Sequence, residues 1–246
     1  PIHILIWQIY YDQDISFTLN RSHLWFLGNI FLYVILLSPI FFYLKRIENN
    51  VISQKIKRLF GNPFGFLLII ASFVIETFIV KLESYEMYAM TIHGFVLGLL
   101  AFLFGFLIIY SETYFWKSVL KWRLIILTVA VLFFLVRLFH YDLIAPNYLK
   151  AIESCFWVFT VFGFGYKYLN HPSKTLSYLS EAAYPIYIIH MIFLYLGSYL
   201  ILPLSIPTFA KFVLIVLFTV LGCFMMYELL IKRIKFFRPL FGLKLK

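Results

Sequence analysis

An all-α, polytopic transmembrane helix bundle is the fold class that this chain predicts, on three observations. It holds seven long apolar runs, its connections alternate between heavy and light Lys/Arg content, and its composition is too apolar for water. The runs lie near 24–44, 64–81, 88–110, 123–141, 149–168, 182–203 and 211–231. Crossing a hydrocarbon core of about 30 Å takes roughly 20 helical residues at about 1.5 Å each, so every run is of spanning length. At 63% hydrophobic and 22% aromatic, with mean hydropathy +0.92, the 246 residues carry more apolar surface than a water-soluble domain can hide.

The charge pattern orients the bundle. Five Lys/Arg fall in 45–63, three in 111–123, two in 167–180 and six in 232–246, which is 16 of the 21 in the chain. The opposite side holds Arg21, Lys81, Lys150 and Lys211, and Arg137 lies inside a run. Basic residues accumulate in short cytoplasmic loops, so the heavy side is expected in the cytoplasm, with the N-terminus outside and the C-terminus inside. A multi-pass protein of the cell inner (plasma) membrane follows. The net charge of +10 then answers to membrane insertion and anionic headgroups, and no nucleic-acid partner is expected.

The remaining organisation is simple. No repeat or hydrophilic domain interrupts the pattern, and Gly61-Asn-Pro-Phe-Gly65, Ala145-Pro-Asn147 and the Pro203/Pro207 pair mark turns, so residues 1–246 read as a single transmembrane domain. Cys155 and Cys223 sit in different runs, show no disulfide or metal-ligand spacing, and read as small apolar fillers; no metal is expected. The chain opens on Pro1-Ile-His-Ile-Leu-Ile-Trp-Gln-Ile-Tyr10, which reads as a helix already in progress. With an odd helix count and an outside start, an N-terminally incomplete domain is the expectation.

Ionisable side chains within the runs carry the chemistry. Each costs about 2.5–3.5 kcal/mol on insertion scales, so such groups mark a bundle interior, a cavity or a pathway. They are Glu76, His93, Arg137, His140, Glu153, His190 and Glu228. The topology puts Glu76, His93, Arg137, His140 and Glu153, with His23 just ahead of the first run, toward the outer side, where a shared basin for a polar acceptor is the economical arrangement. Structural readings stand beside this one. Arg137 and His140 share a helical face near a helix end, where they can also snorkel. Glu153 suits a helix N-terminus. Glu76 lies deeper, with Arg137 as its expected partner. Glu181 follows Ser180, which reads as an N-cap, and Glu228 is expected to pair with Lys232 four residues on. His190 lies near mid-membrane, with Tyr184 and Tyr187 before it at steps of three, so the polar tips spread over about 120° of one helix surface. It is either a satisfied packing histidine or part of a substrate-lining face.

Two segments resemble a known family. His23-Leu-Trp-Phe-Leu27, with Tyr33 and Leu-Leu-Ser-Pro39, is similar to the His-x-Trp-aromatic-Leu opening of a mid-chain helix in the acyltransferase-3 family of integral membrane acyltransferases. Ser180-Glu-Ala-Ala-Tyr-Pro-Ile-Tyr-Ile-Ile-His190 resembles the Ser-x-x-x-Tyr-x-x-Tyr-x-x-His signature of that family's penultimate helix. The ending from Tyr227 to Arg233, with Arg238-Pro-Leu-Phe-Gly-Leu-Lys244, looks like the tail of the glucan biosynthesis protein C subgroup.

The resemblance implies a ten-helix core, of which these would be the last seven; the family's first-helix histidine motif and its Arg-x-x-Arg motif would precede Pro1. It also implies O-acyl transfer, of acetyl or succinyl type, from cytoplasmic acyl-CoA to a hydroxyl of an extracytoplasmic glycan or glucan. No bound cofactor is implied; acyl-CoA is the donor substrate, and membrane lipid is the remaining partner. Such chemistry needs a base for the acceptor hydroxyl and support for a tetrahedral oxyanion. The residues assigned on this reading are His23 as acid/base or orienting group, and Tyr184, Tyr187 and His190 along the acyl passage. Glu76, His93, Arg137, His140 and Glu153 go to the acceptor, and Lys45, Arg46, Lys57 and Arg58 to the coenzyme A phosphates. The rival class is a non-enzymatic membrane transporter or transporter subunit, since intramembrane His, Glu and Arg also build proton relays.

Overall fold

The computed structural model describes residues 25–48, 50–80 and 84–244, and these residues are helical with no strand among them. In chain order the helices are α1 (Trp25–Arg46), α2 (Val51–Phe60), α3 (Pro63–Ile79), α4 (Ile92–Tyr110), α5 (Thr113–His140), α6 (Asn147–Tyr168), α7 (Lys174–Ile201), α8 (Thr208–Met226) and α9 (Phe237–Leu240). A π-helical turn, Tyr227–Ile231, continues α8.

Five of these elements are long and apolar enough to cross a membrane: α1, α4, α5, α7, and α8 with its π turn. The α2–α3 pair, bent by 81° at Gly61-Asn62, makes a sixth if it counts as one broken span. α6 has 22 residues, but Lys150, Glu153 and Lys167 dilute its apolar content. The protein is therefore a multi-pass membrane protein with five to six candidate spans by this measure, against the seven apolar runs read from the sequence.

Two helices begin well before their apolar runs. α5 starts at Thr113, not near 123, and α7 at Lys174, not near 182. Each is 28 residues, or about 42 Å, which exceeds the hydrocarbon thickness, so Lys117, Lys121 and Arg123 ride on helical turns beyond the apolar stretch. Hydropathy marks where a helix enters lipid, whereas backbone hydrogen bonding continues until a cap stops it. In α7 that cap is Ser173, whose Oγ accepts from the Leu176 N–H at 2.9 Å. Ser180 is thus interior, and Glu181 is the eighth residue of the helix and not a first-turn anion.

Packing divides the described helices into two groups. The larger core joins α2 through α6 around Phe60, Phe66, Ile69, Phe104, Phe115 and Phe159. α1 lies on α4, held by its buried Tyr33, whose hydroxyl donates to the Phe95 carbonyl at 2.9 Å. The smaller core holds α7, α8 and the tail through Ala182, Ile189, Cys223, Tyr227, Ile231 and Leu243. The tail is pinned by Arg238, which donates to the Lys232 and Lys244 carbonyls at 3.1 and 2.9 Å.

Candidate functional site

One end of the larger core collects polar groups. There α3 ends, the connection 84–91 crosses, α4 begins, α5 ends and α6 begins; the charge pattern expects this end to face outward. Three acid–base pairs stand here.

The deepest joins α3 to α4. Glu76 and His93 are both about 3% exposed, with His93 Nδ1 2.7 Å from Glu76 Oε1. His93 Nε2 lies 3.1 Å from the Tyr85 carbonyl oxygen. Oxygen atoms thus face both ring nitrogens. Glu76 Oε2 is buried with no hydrogen-bond partner. The pair is possible because α4 starts immediately before it: Thr91 caps the helix by accepting from the Gly94 N–H at 3.0 Å. A Cβ at Gly94 would overlap the Tyr88 carbonyl, so only glycine lets the connection fold down onto the helix start.

The second pair joins α5 to α6. Arg137 donates from Nε to Glu153 Oε2 at 2.7 Å and from Nη2 to Oε1 at 3.0 Å, a bidentate fork, and Trp157 Nε1 adds a longer contact of 3.4 Å. Glu153 is buried, while the Arg137 side chain keeps 24% exposure and its guanidinium lies 5.5 Å from the Phe134 ring centre.

These partners correct the sequence expectation that Glu76 pairs with Arg137. α6 packs against both α3 and α5, so the carboxylate within reach of Arg137 is Glu153, and Glu76 turns toward α4. Glu153 is likewise the seventh residue of α6, beyond its first turn, and an arginine holds it in place of the helix N-terminus.

The third pair escaped sequence reading. Lys150 binds Glu86 at 2.8 Å, and Ser84 Oγ donates to the same carboxylate at 2.5 Å. Lys150 and then Ser84 hold the Glu86 carboxyl down to about 2. The neighbouring Tyr85 donates its backbone N–H to Asn147 Oδ1 at 3.1 Å. Burial, the largest cause, pushes its phenol up to about 12. The available signal was an acid in one connection and a base in the first turn of α6, both on the expected outer side.

The other assigned residues fall as follows. His23 lies outside the described residues. His140 is exposed at the end of α5, its ring against Tyr141. Tyr184 is 43% exposed on α7, and Tyr187 and His190 are half-buried. His190 Nδ1 donates to the Tyr187 carbonyl at 2.6 Å, and the two rings lie 5.7 Å apart. This face belongs to the helix of the smaller core, whereas the three ion pairs belong to the larger one.

At the opposite end, Lys45, Arg46 and Arg58 are exposed, but Lys57 is not. Its ammonium is buried on Glu112 at 2.5 Å and lies 5.1 Å from the Tyr110 ring centre, because Lys57 falls on the inward stripe of α2 with Ser53 and Phe60. The expectation that Lys57 joins the other three bases toward a donor is thereby corrected. A cavity of about 520 Å³ is lined by Lys45, Arg46, Glu48 and Asn50. Lys45 and Glu48 also border an apolar cavity of about 550 Å³ between α1 and α4.

Comparison with known families finds a match to the acyltransferase domain of acyltransferase-3 proteins over residues 1–228. The chain belongs to the acyltransferase-3 family. No curated protein and no solved structure matches it. A membrane acyltransferase in general is what this acyltransferase-3 protein is. Among the described residues no cluster of three or more His, Cys, Asp or Glu is placed to hold a metal ion.

Proposed function

We propose that this acyltransferase-3 protein moves an acyl group, of acetyl or succinyl type, from cytoplasmic acyl-CoA to a hydroxyl of a glycan outside the inner membrane. The reading takes the seven long helices as spans, with the N-terminus outside and the C-terminus in the cytoplasm. It rests on one observation above all: polar groups gather at two ends of an apolar bundle, three ion pairs at one, and at the other the Lys57–Glu112 pair with a cavity lined by Lys45 and Arg46.

At the basic end, the exposed Lys45, Arg46 and Arg58 suit the phosphates of coenzyme A, and the apolar cavity that Lys45 borders suits the acyl-pantetheine arm. At the other end, Arg137 is the group best placed to meet an acceptor. Glu153 fixes its plane bidentately while a quarter of the side chain remains exposed. A preorganised cation of this kind orients a sugar hydroxyl or supports a developing oxyanion without reorganisation. His93 is tied at both nitrogens, so its part with Glu76 is to position the 84–91 connection. His23 remains the acid/base assignment, with Tyr184, Tyr187 and His190 along the passage.

Acylation of the glycan by membranes of matched protein content tests the reading. Arg137→Ala and His190→Ala are expected to lower product at least tenfold, with Arg137→Lys only partly restoring it because the bidentate fork is lost. Glu228→Ala is expected to be near normal, since Glu228 has an ordinary partner in Lys232 at 2.9 Å. Full product from both the Arg137→Ala and the His190→Ala variants would refute the assignment.

A further inference from the structure

At the basic end, one phenolic hydroxyl joins three helices. Tyr110 is the last residue of α4, and its hydroxyl lies 2.9 Å from the Leu44 carbonyl oxygen of α1 and 2.7 Å from Ser53 Oγ of α2. A carbonyl can only accept, so the phenol donates to Leu44 and Ser53 donates to the phenol. The Leu44 carbonyl is available because α1 is ending. The Glu48 N–H, which a further α-helical turn would direct to Leu44, donates to the Lys45 carbonyl at 3.3 Å instead. Ser53 is fully buried in the first turn of α2, just after the N-cap Asn50, whose Oδ1 accepts from the Val51 N–H at 2.6 Å.

Between Leu44 and Ser53 the chain carries Lys45, Arg46, Glu48 and Asn50, which line the basic cavity. Lys45 and Tyr110 also border the apolar cavity between α1 and α4. The turn that bears the bases is therefore fastened on both sides to a single oxygen. We infer that Tyr110 is a positioning residue for the acyl donor: its hydroxyl staples this turn and so fixes the backbone from which Lys45 reaches the coenzyme A phosphates. The inference rests on the donor reading proposed above.

The ring that carries the hydroxyl is itself held. Phe106, one turn earlier, stacks on it at 5.9 Å with the planes 15° apart, and the Lys57 ammonium lies 5.1 Å from its centre. Lys57 is 4% exposed and bound to Glu112, two residues beyond Tyr110, which keeps a φ of 53° that non-glycine residues rarely adopt. Lys57 thus serves the donor end indirectly, by fixing α2 and the end of α4 around the phenol. Fixed backbone matters for phosphate, because a charge-assisted contact of about 2.8 Å does not survive a shift of about 1 Å. Tyr33 offers a comparison within the same helix pair. Its hydroxyl also ties α1 to α4, at the Phe95 carbonyl, but it lies about three helical turns before Leu44.

Binding of radiolabelled coenzyme A to the purified full chain in mixed micelles tests the inference. Lys45→Ala should weaken binding at least fivefold. Tyr110→Phe keeps the ring and loses both hydrogen bonds, and it should also weaken binding at least fivefold. In a Lys45→Ala background the same change should weaken binding less than twofold, because the phenol acts through that lysine. Tyr33→Phe loses a hydrogen bond between the same two helices and should stay within twofold of the parent. Ser53→Ala, which removes one of the phenol's two partners, replaces Tyr110→Phe if that variant fails to fold, with the same pattern expected. Unchanged binding in Tyr110→Phe, equal losses with and without Lys45, or an equal loss in Tyr33→Phe would overturn the inference and leave the donor site standing. Absence of binding to the parent, or normal binding by Lys45→Ala, would remove the donor reading and the inference with it.

Discussion

Replacing His93 with leucine isolates the most exacting contact in the bundle. Glu76 Oε2 has no hydrogen-bond partner, and Oε1 has His93 at 2.7 Å, so the substitution strips the carboxyl of the partner that the structure gives it. Both side chains are nearly inaccessible, at 3% for His93 and 1% for Glu76. Breaking such a buried pair from one side costs about 3–5 kcal/mol, because an uncompensated polar group stays behind. Removing both sides is different. Glu76→Leu with His93→Leu leaves an apolar pair of similar bulk, and its loss should be about 1–2 kcal/mol, part of it from the Tyr85 carbonyl that His93 served. The double variant is therefore expected to be more stable than His93→Leu alone by about 2 kcal/mol. Equilibrium unfolding of the four proteins in mixed micelles measures this through a double-mutant cycle. Strict additivity, with the double variant as weak as the two single losses summed, would refute the picture of a coupled buried pair.

Further outcomes can be checked in the same preparations. Gly94→Ala should fail to accumulate as folded protein, since its Cβ would overlap the Tyr88 carbonyl, whereas Gly105→Ala should gain about 0.5–1 kcal/mol by helix propensity alone. The Glu86 carboxyl is depressed in the folded protein, so the stability it supplies is complete above its ordinary value near 4.5 and is lost as pH falls toward about 2. Lys150→Met should accordingly lower the unfolding free energy at pH 6, by no more than about 1 kcal/mol because Glu86 is 59% exposed, and the deficit should shrink below pH 4.5. A deficit independent of pH would contradict the pairing. For orientation, Met87→Cys should react with an impermeant maleimide from outside intact cells and Lys55→Cys only after permeabilisation, in a background without Cys155 and Cys223; the reverse would invert the topology.

Lys57 illustrates why hydropathy and charge counts stop short of a site. The connection 45–63 reads as a basic loop with four bases available to a donor, yet 51–60 folds as a helix whose inward stripe carries Lys57 onto Glu112. The stripe is set by the rotation of a ten-residue helix about its axis, which a charge tally does not contain. Glu76 makes the same point in the apolar region: its choice of His93 over Arg137 depends on which neighbours its face meets. The Glu228–Lys232 pair was legible because an i,i+4 spacing fixes distance within one helix.

The sequence by itself determined the membrane class, the all-helical architecture and the family resemblance carried by the segment ending at His190. Each follows from composition along a line, because the cost of placing polar groups in lipid acts residue by residue. The tertiary structure alone decided the partners of Glu76, Arg137 and Lys57, the exposure of His140, and the early starts of α5 and α7. Those depend on azimuth, helix contacts and caps, quantities that exist only once separate helices have packed against one another.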